Sequence, residues 1–264
     1  MVNSTANQLP SDVLFEKQLG QLTNWVRMMR QAGLPIEEAL QMPIDDPEMR
    51  KRLVRFWISG GYEATTTQKL AREIMGKNFF GVEEAVQYFG VKPTRTQLSA
   101  LAEIPFTEAE LRECKDTHVL VAVFQMSILD VRGKDEKKLF YSHEDAWYNK
   151  QVFAKQTGNR IFWQLVRKTP VDNSTSKAWD EQQALLPKNE ETPTTRVMVY
   201  MIIGYFLVTG KRLFEDIYVR CSDIDSGGCR VYVGCFGSRG LYVYYDWDDN
   251  RYSSIGVASV RKFE

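Results

Sequence analysis

Over the first 115 residues apolar side chains recur three and four positions apart, the spacing of one helical face. Leu14, Phe15, Leu19, Leu22, Trp25, Val26 and Met29 predict a helix from Ser11 that stops at Gly33-Leu34-Pro35. A second helix is predicted over 47–59, with Leu53, Val54, Phe56 and Trp57 inward and Gly60-Gly61 as its stop. Shorter helices follow over 67–75 and 82–89, closed by Gly76 and Gly90, and over 94–102. Thr107 and Glu110 have capping-box spacing, in which threonine oxygen and glutamate each satisfy an orphan backbone donor. Residues 1–10 carry no such pattern and are expected to be a loose tail.

Near His118 the pattern changes. The run from 118 to 131 is rich in β-branched residues between Asp116 and Gly133 and predicts strand. Ser142 and Asp145 are spaced to cap a helix bearing Ala146, Trp147, Val152 and Phe153, which Gly158 ends. A strand over 161–166, a helix with Trp179 and Leu185, a linker with Pro187 and Pro193, and a long apolar helix over 196–208 come next. Beyond Gly210 only strands are predicted, over 217–221, 230–236, 241–245 and 255–260, separated by polar glycine- and aspartate-rich turns. Period two separates Val231 and Val233 from Tyr232, and Leu241 and Val243 from Tyr242 and Tyr244. The expected class is α+β: a helical N-terminal domain of unknown role, 1–115, then a domain of mixed helices and antiparallel strands, 116–264.

Composition narrows the function classes. Apolar residues make up 44% of the 264, enough for a packed core, so disorder is excluded. Lys plus Arg equals Asp plus Glu at 34 each, so no net field draws nucleic acid or anionic membrane. The apolar run from 197 to 208 falls short of the roughly 20 residues a membrane span needs. The N-terminus lacks the basic-then-apolar order of a secretory signal, so a cytoplasmic location is expected, with surface display by another route left open. Cys114, Cys221, Cys229 and Cys235 form no CxxC and have no histidine at ligand spacing; free thiols are expected, with no metal and no cofactor.

From Asp216 to Arg261 the composition itself is informative. These 46 positions hold no Lys, Glu, Gln or Met, where the chain's average would place about six Lys and Glu. Tyr, Ser, Gly, Asp, Arg and Cys fill them, the residues of an antibody paratope, where rigid Tyr supplies area and small polar groups supply adaptable hydrogen bonds. Randomising the adenines of an asparagine codon yields such residues and never Lys, Glu, Gln, Met or Trp. From Cys229 to Ser254 only Trp247 lies outside that set.

The helix VMVYMIIGYFLVTGKRLF, the strand IYVRCSD, the stretch RVYVGCFGSRGLYV and the ending WDDNRYSSIGVASVRK carry a family resemblance. Over about 117–264 the chain resembles the variable proteins of diversity-generating retroelements, including proteins of small-genome candidate-phylum bacteria. The resemblance implies a C-type lectin fold of the formylglycine-generating-enzyme kind, with Gly256 and Arg261 in its glycine–arginine closure. Here that closure reads Gly-Val-Ala-Ser-Val-Arg rather than the family's usual Gly-Phe-Arg. It also implies a non-enzymatic binder whose 3′ gene end is rewritten by adenine-directed reverse transcription, over a variable region of about 229–260. The implied ligand-binding positions are Cys229, Tyr232, Cys235, Gly237, Ser238, Arg239, Tyr242, Tyr244, Tyr245, Asp246, Asn250, Tyr252, Ser253 and Ser254. The partner would be a protein or other macromolecule at that face, with the helical region available for oligomer formation.

Other chemistries find less support. His118 opens a strand and reads as a strand-edge residue; His143 falls in a predicted helix's first turn beside Glu144 and Asp145, which reads as a solvated helix start rather than an acid–base cluster. Asp223 and Asp225 resemble half a calcium loop, but the closing acid falls at Gly234, which favours a hairpin turn. Asp246, Asp248 and Asp249 read as a solvated turn. Two short helices over 67–89, with Lys69, Arg72, Lys77, Lys92 and Arg95 nearby, loosely suggest a helix-turn-helix, and a regulatory or nucleic-acid-binding role is the alternative function. The second of them, VEEAVQYF, is acidic where a recognition helix is basic.

Overall fold

The structure, a computed structural model, describes residues 11–58, 61–134, 139–142 and 144–262, without the side chains of 11–17, 55, 57 and 58. The expected tail over 1–10, the helix stop at Gly60, the burial of Leu14, Phe15 and Trp57, and His143 lie outside that description. The chain forms two compact units, 1–58 and 59–264. The boundary falls well before residue 115, because the helices after Ser59 bury their apolar faces in the core of the second unit.

The first unit contains α1 (Ser11–Gln31), α2 (Ile36–Asp45) and α3 (Pro47–Ile58). The sequence reading passed over α2, which is short and carries Pro43 inside it. Val54 and Phe56, expected inward, are exposed.

The second unit is α+β. Its helical part comprises α4 (Thr66–Met75), α5 (Val82–Phe89), α6 (Arg95–Ala100) and α7 (Glu108–Cys114), with the two-residue strand β1 (Phe79–Phe80) between α4 and α5. Thr65, Thr94 and Thr107 cap α4, α6 and α7, each in a reciprocal box with the Gln or Glu three residues on. β2 (His118–Val123) is followed not by more strand but by α8 (Ile128–Gly133): Ser127 accepts from the Asp130 amide and starts a helix inside the apolar run. The helix expected from Ser142 is replaced by a 3₁₀ turn at Trp147–Lys150 and one turn of α9 (Val152–Lys155). β3 (Phe162–Arg167), α10 (Trp179–Gln183), β4 (Glu190–Glu191) and α11 (Thr195–Thr209) follow, then β5 (Tyr218–Ile224), β6 (Arg230–Gly237), β7 (Gly240–Asp246), β8 (Ile255–Val257) and β9 (Val260–Arg261).

The strands make two sheets, ordered β1-β2-β3-β9-β4 and β7-β6-β5-β8. α11 is buried along most of its length and packs against β1 and β2 of one sheet and β5 and β6 of the other, which explains its lack of a polar face. Tyr200 of α11 meets Phe80 and Phe89 ring to ring, and Gly204 leaves the space that Phe80 fills: a Cβ there would lie 2.8 Å from the Phe80 ring. The closing segment passes from one sheet to the other. Gly256 in β8 sits against Pro170 and Ser174 too tightly for a Cβ, and Arg261 in β9 pairs with Glu113 at 3.3 Å.

Candidate functional site

β6 and β7 form a hairpin whose two faces differ in kind. The register pairs Val233 with Val243, Tyr232 with Tyr244 and Gly234 with Tyr242. Val231, Val233, Leu241 and Val243 are buried against the core, whereas Tyr242 is half-buried and Tyr244 is 47% exposed. β5 extends the outer face, Arg220 standing opposite Tyr232 and Tyr218 opposite Gly234. The result is a continuous aromatic terrace. Tyr141 stacks on Tyr242 at 4.0 Å between centroids, Tyr218 meets Tyr242 at 6.4 Å and Tyr232 at 5.2 Å, and Tyr232 faces Tyr244 at 6.3 Å.

The hairpin tip owes its shape to glycine. At Gly234, with φ of 148°, a Cβ would fall 2.1 Å from the Ile217 carbonyl oxygen; at Gly240, with φ of 100°, it would meet the Phe140 backbone at 2.6 Å. Gly237 between them faces open space. Cys235 sits in the left-handed region with φ of 47° and donates its amide to the Ile217 carbonyl, so the ladder is interrupted where the strand bulges.

The loop after β7 is tied down by two polar centres. Asp246 accepts from the Trp247 amide at 2.8 Å, from Asn250 Nδ2 at 2.6 Å and from the Tyr252 hydroxyl. Burial pushes the Asp246 carboxyl up, but these three donors outweigh it and hold it below the usual carboxylate range. Arg220 is fully buried and donates to the carbonyls of Lys177, Trp247 and Asn250 and to Gln182 Oε1, at 2.7–3.3 Å. Arg230 pairs with Asp248 at 3.0 Å and lies 3.9 Å above the Trp179 ring.

Most of the sequence-predicted positions come together. Tyr232, Tyr242, Tyr244, Asp246, Asn250 and Tyr252 share the terrace and its loop; Gly237, Ser238 and Arg239 form the hairpin tip; Ser253 and Ser254 are exposed on the way to β8. Two stand apart. Cys229 is buried beside the Asp225 turn, and Tyr245 pairs with Val231, which sets it on the face of Leu241 and Val243, 40% exposed, with its ring 4.4 Å from that of Trp147. Tyr232 is only 9% exposed, and burial, then Asp246, pushes its phenol up to about 12, so it is a neutral donor at neutral pH. Tyr141, Tyr218, Arg220 and Trp147 were not singled out. Tyr218 and Arg220 alternate with Val219 and Cys221 as the other strands do, a signal that was available; Tyr141 joins the terrace from a distant loop, which no local pattern announces.

The remaining candidate residues are engaged in structure. Asp225 Oδ1 accepts from the Gly227 and Cys229 amides, and Asp223 accepts from the Thr195 amide, so both shape the backbone. Among the described residues no group of three His, Cys, Asp or Glu could hold a metal ion. The four cysteines are unpaired, and burial pushes the Cys221 thiol far up, away from the reactive thiolate. His118 is buried, its Nδ1 2.8 Å from Thr117 Oγ1 and its Nε2 3.5 Å from Glu190. Arg72, counted toward a basic DNA-binding surface, instead binds Glu84 and Glu83 of α5 and covers Phe79. Among the described residues no helix is long and apolar enough to cross a membrane.

No protein-family model, no curated protein and no solved structure matches the chain.

Proposed function

We propose that this is a non-enzymatic ligand-binding protein whose terrace and hairpin tip, within residues 229–254, form a face diversified by adenine-directed mutagenesis, in keeping with a C-type-lectin-like variable protein. The observation that carries the reading is the division of labour within one hairpin. Val231, Val233, Leu241 and Val243 hold the core while neighbouring positions of the depleted composition face outward. A rigid aromatic surface with small polar neighbours supplies contact area at low entropic cost, as paratopes do. The neutral phenols and the engaged carboxylates suit binding rather than proton transfer.

A library tests this. Ser238, Arg239, Tyr242, Tyr244, Tyr252 and Ser253 are replaced together by the residues that adenine-randomised asparagine codons encode. Most members are expected to fold, and selection against an arbitrary protein target is expected to yield binders. If most members unfold, the face is part of the core and the reading fails. Tyr232 and Cys229 are left out because their burial makes replacement costly.

A further inference from the structure

At the β7 edge the terrace turns down into a cleft of about 240 Å³, lined by Tyr141, Ser142, Asp145, Trp147, Tyr242 and Tyr244. Its walls are aromatic, and Asp145 is the one charged side chain in that lining. The walls are also fixed. Trp147 donates its indole N–H to the Val243 carbonyl at 2.8 Å, and Tyr141 is locked in its stack with Tyr242 while its amide donates to the Leu241 carbonyl at 3.0 Å. Tyr242 and Tyr244 lie two residues apart on one strand face, so their Cα atoms are separated by ~6.8 Å, room for one flat group between two rings.

A chamber of preset π faces with a single carboxylate has a definite electrostatic preference. The ring faces carry negative quadrupole density and Asp145 is a carboxylate, and both favour a cation, against the positive charge of Arg239 at the margin. Arg239 stands at the margin of this cleft, its guanidinium 5.7 Å from both the Tyr141 and Tyr242 ring centroids and so beside the edges of that stack, leaving the free ring faces to an incoming group. A planar guanidinium can stack on tyrosine and donate in-plane to Asp145 and to the Ser142 hydroxyl together, which a spherical ammonium cannot do.

We infer that this cleft is a pocket for an arginine side chain presented by a protein partner. The inference rests on the reading of the terrace as the ligand surface: the terrace would supply area and the cleft an anchor. Anchors of this kind, buried and aromatic-lined, dominate interface energetics.

The test is a titration of the ¹⁵N-labelled full-length chain with a five-residue glycine peptide bearing one central arginine. Matched peptides carry citrulline or lysine. The arginine peptide is expected to shift the Trp147 indole and Tyr244 amide signals, half-saturating on the order of 1 mM. The citrulline peptide, isosteric and uncharged, is expected to bind about fivefold more weakly or worse. Asp145→Asn should weaken arginine binding about fivefold while leaving the citrulline response and the melting temperature unchanged. Equal response to citrulline, tighter binding of lysine, indifference to Asp145→Asn, or no shift at about tenfold higher peptide would each overturn the inference. The gene's flanking DNA decides the parent reading separately. A template copy there with a silent titration removes the arginine pocket alone; a positive titration without a template leaves the pocket and removes diversification.

Discussion

Arg220 fastens the loop that borders the terrace, and Arg220→Met measures how much that fastening contributes. The side chain is fully buried and makes four hydrogen bonds, to the carbonyls of Lys177, Trp247 and Asn250 and to Gln182 Oε1. Hydrogen bonds to a charged group contribute about 1.5–3 kcal/mol each before desolvation is counted. Burial opposes the charge, and no carboxylate touches the guanidinium among its hydrogen-bond partners. Three of the four contacts reach partly exposed carbonyls that water can rescue, so the net loss is about 2–4 kcal/mol. Methionine keeps most of the volume and adds no cavity of consequence. For a unit of this size that corresponds to a fall in Tm of about 4–16 °C. Thermal unfolding by circular dichroism reads the stability, and amide hydrogen exchange reads the loop, where the amides of 247–254 should lose protection first. A variant melting within about 2 °C of the parent, with unchanged exchange over 247–254, would refute the assignment of Arg220 as the loop's anchor.

The hairpin tip gives a paired test: Gly234→Ala should cost about 3 kcal/mol or more, since its Cβ would fall 2.1 Å from a carbonyl at positive φ, whereas Gly237→Ala should be neutral within about 0.5 kcal/mol. Chemical denaturation distinguishes the two, and equal effects would contradict the bulge geometry. Gly204→Ala, which in an ordinary helix interior would stabilise by about 1 kcal/mol, should here destabilise by about 1–3 kcal/mol, because the new methyl meets Phe80, itself held by Phe89 and Tyr200. Asp246 has a lowered folded pKa, so its contribution is present in full above the unfolded value near 3.9 and is lost as pH falls through the folded value. Acid titration followed by amide exchange should show 247–252 loosening in that range, and Asp246→Asn should abolish that pH dependence.

Much of the self-contained local chemistry was legible. Thr107 reads as a cap because its partner Glu110 lies three residues away, and α5 and α11 end at Gly90 and Gly210 because each supplies a left-handed cap; Thr65 and Thr94 carry the same spacing and were passed over as caps. Strand alternation in β6 and β7 was equally readable, and with it the division between Val231, Val233, Leu241 and Val243 and the outward tyrosines. Some failures were missed local signals and others depended on distant neighbours. The run after His118 is mostly apolar, so periodicity did not separate strand from helix, and the one signal that Ser127 starts α8, its capping partner Asp130 three residues on, was passed over. Composition groups Tyr245 with Tyr244, although the same alternation puts it on the Leu241 and Val243 face, where it meets Trp147. Arg220 lies on the solvent side of its strand by alternation and is buried because the loop after β7, the Lys177 carbonyl and Gln182 of α10 close around it. The unit boundary was misplaced for the same reason: the helices after Ser59 have the composition of a separate domain, but their apolar faces join the core built around α11.

The central claim is that the face within residues 229–254 is diversified, and the most direct measurement is the DNA sequence of the gene and its flanks. The account predicts a reverse transcriptase gene nearby and a second copy of the 3′ end that differs from it at template adenines. Those differences should fall on outward codons such as those of Ser238, Tyr242, Tyr244 and Tyr252 and spare those of Val231, Val233, Gly234, Gly240 and Val243. A locus with no such copy, or one whose differences fall on core and surface codons alike, would contradict it.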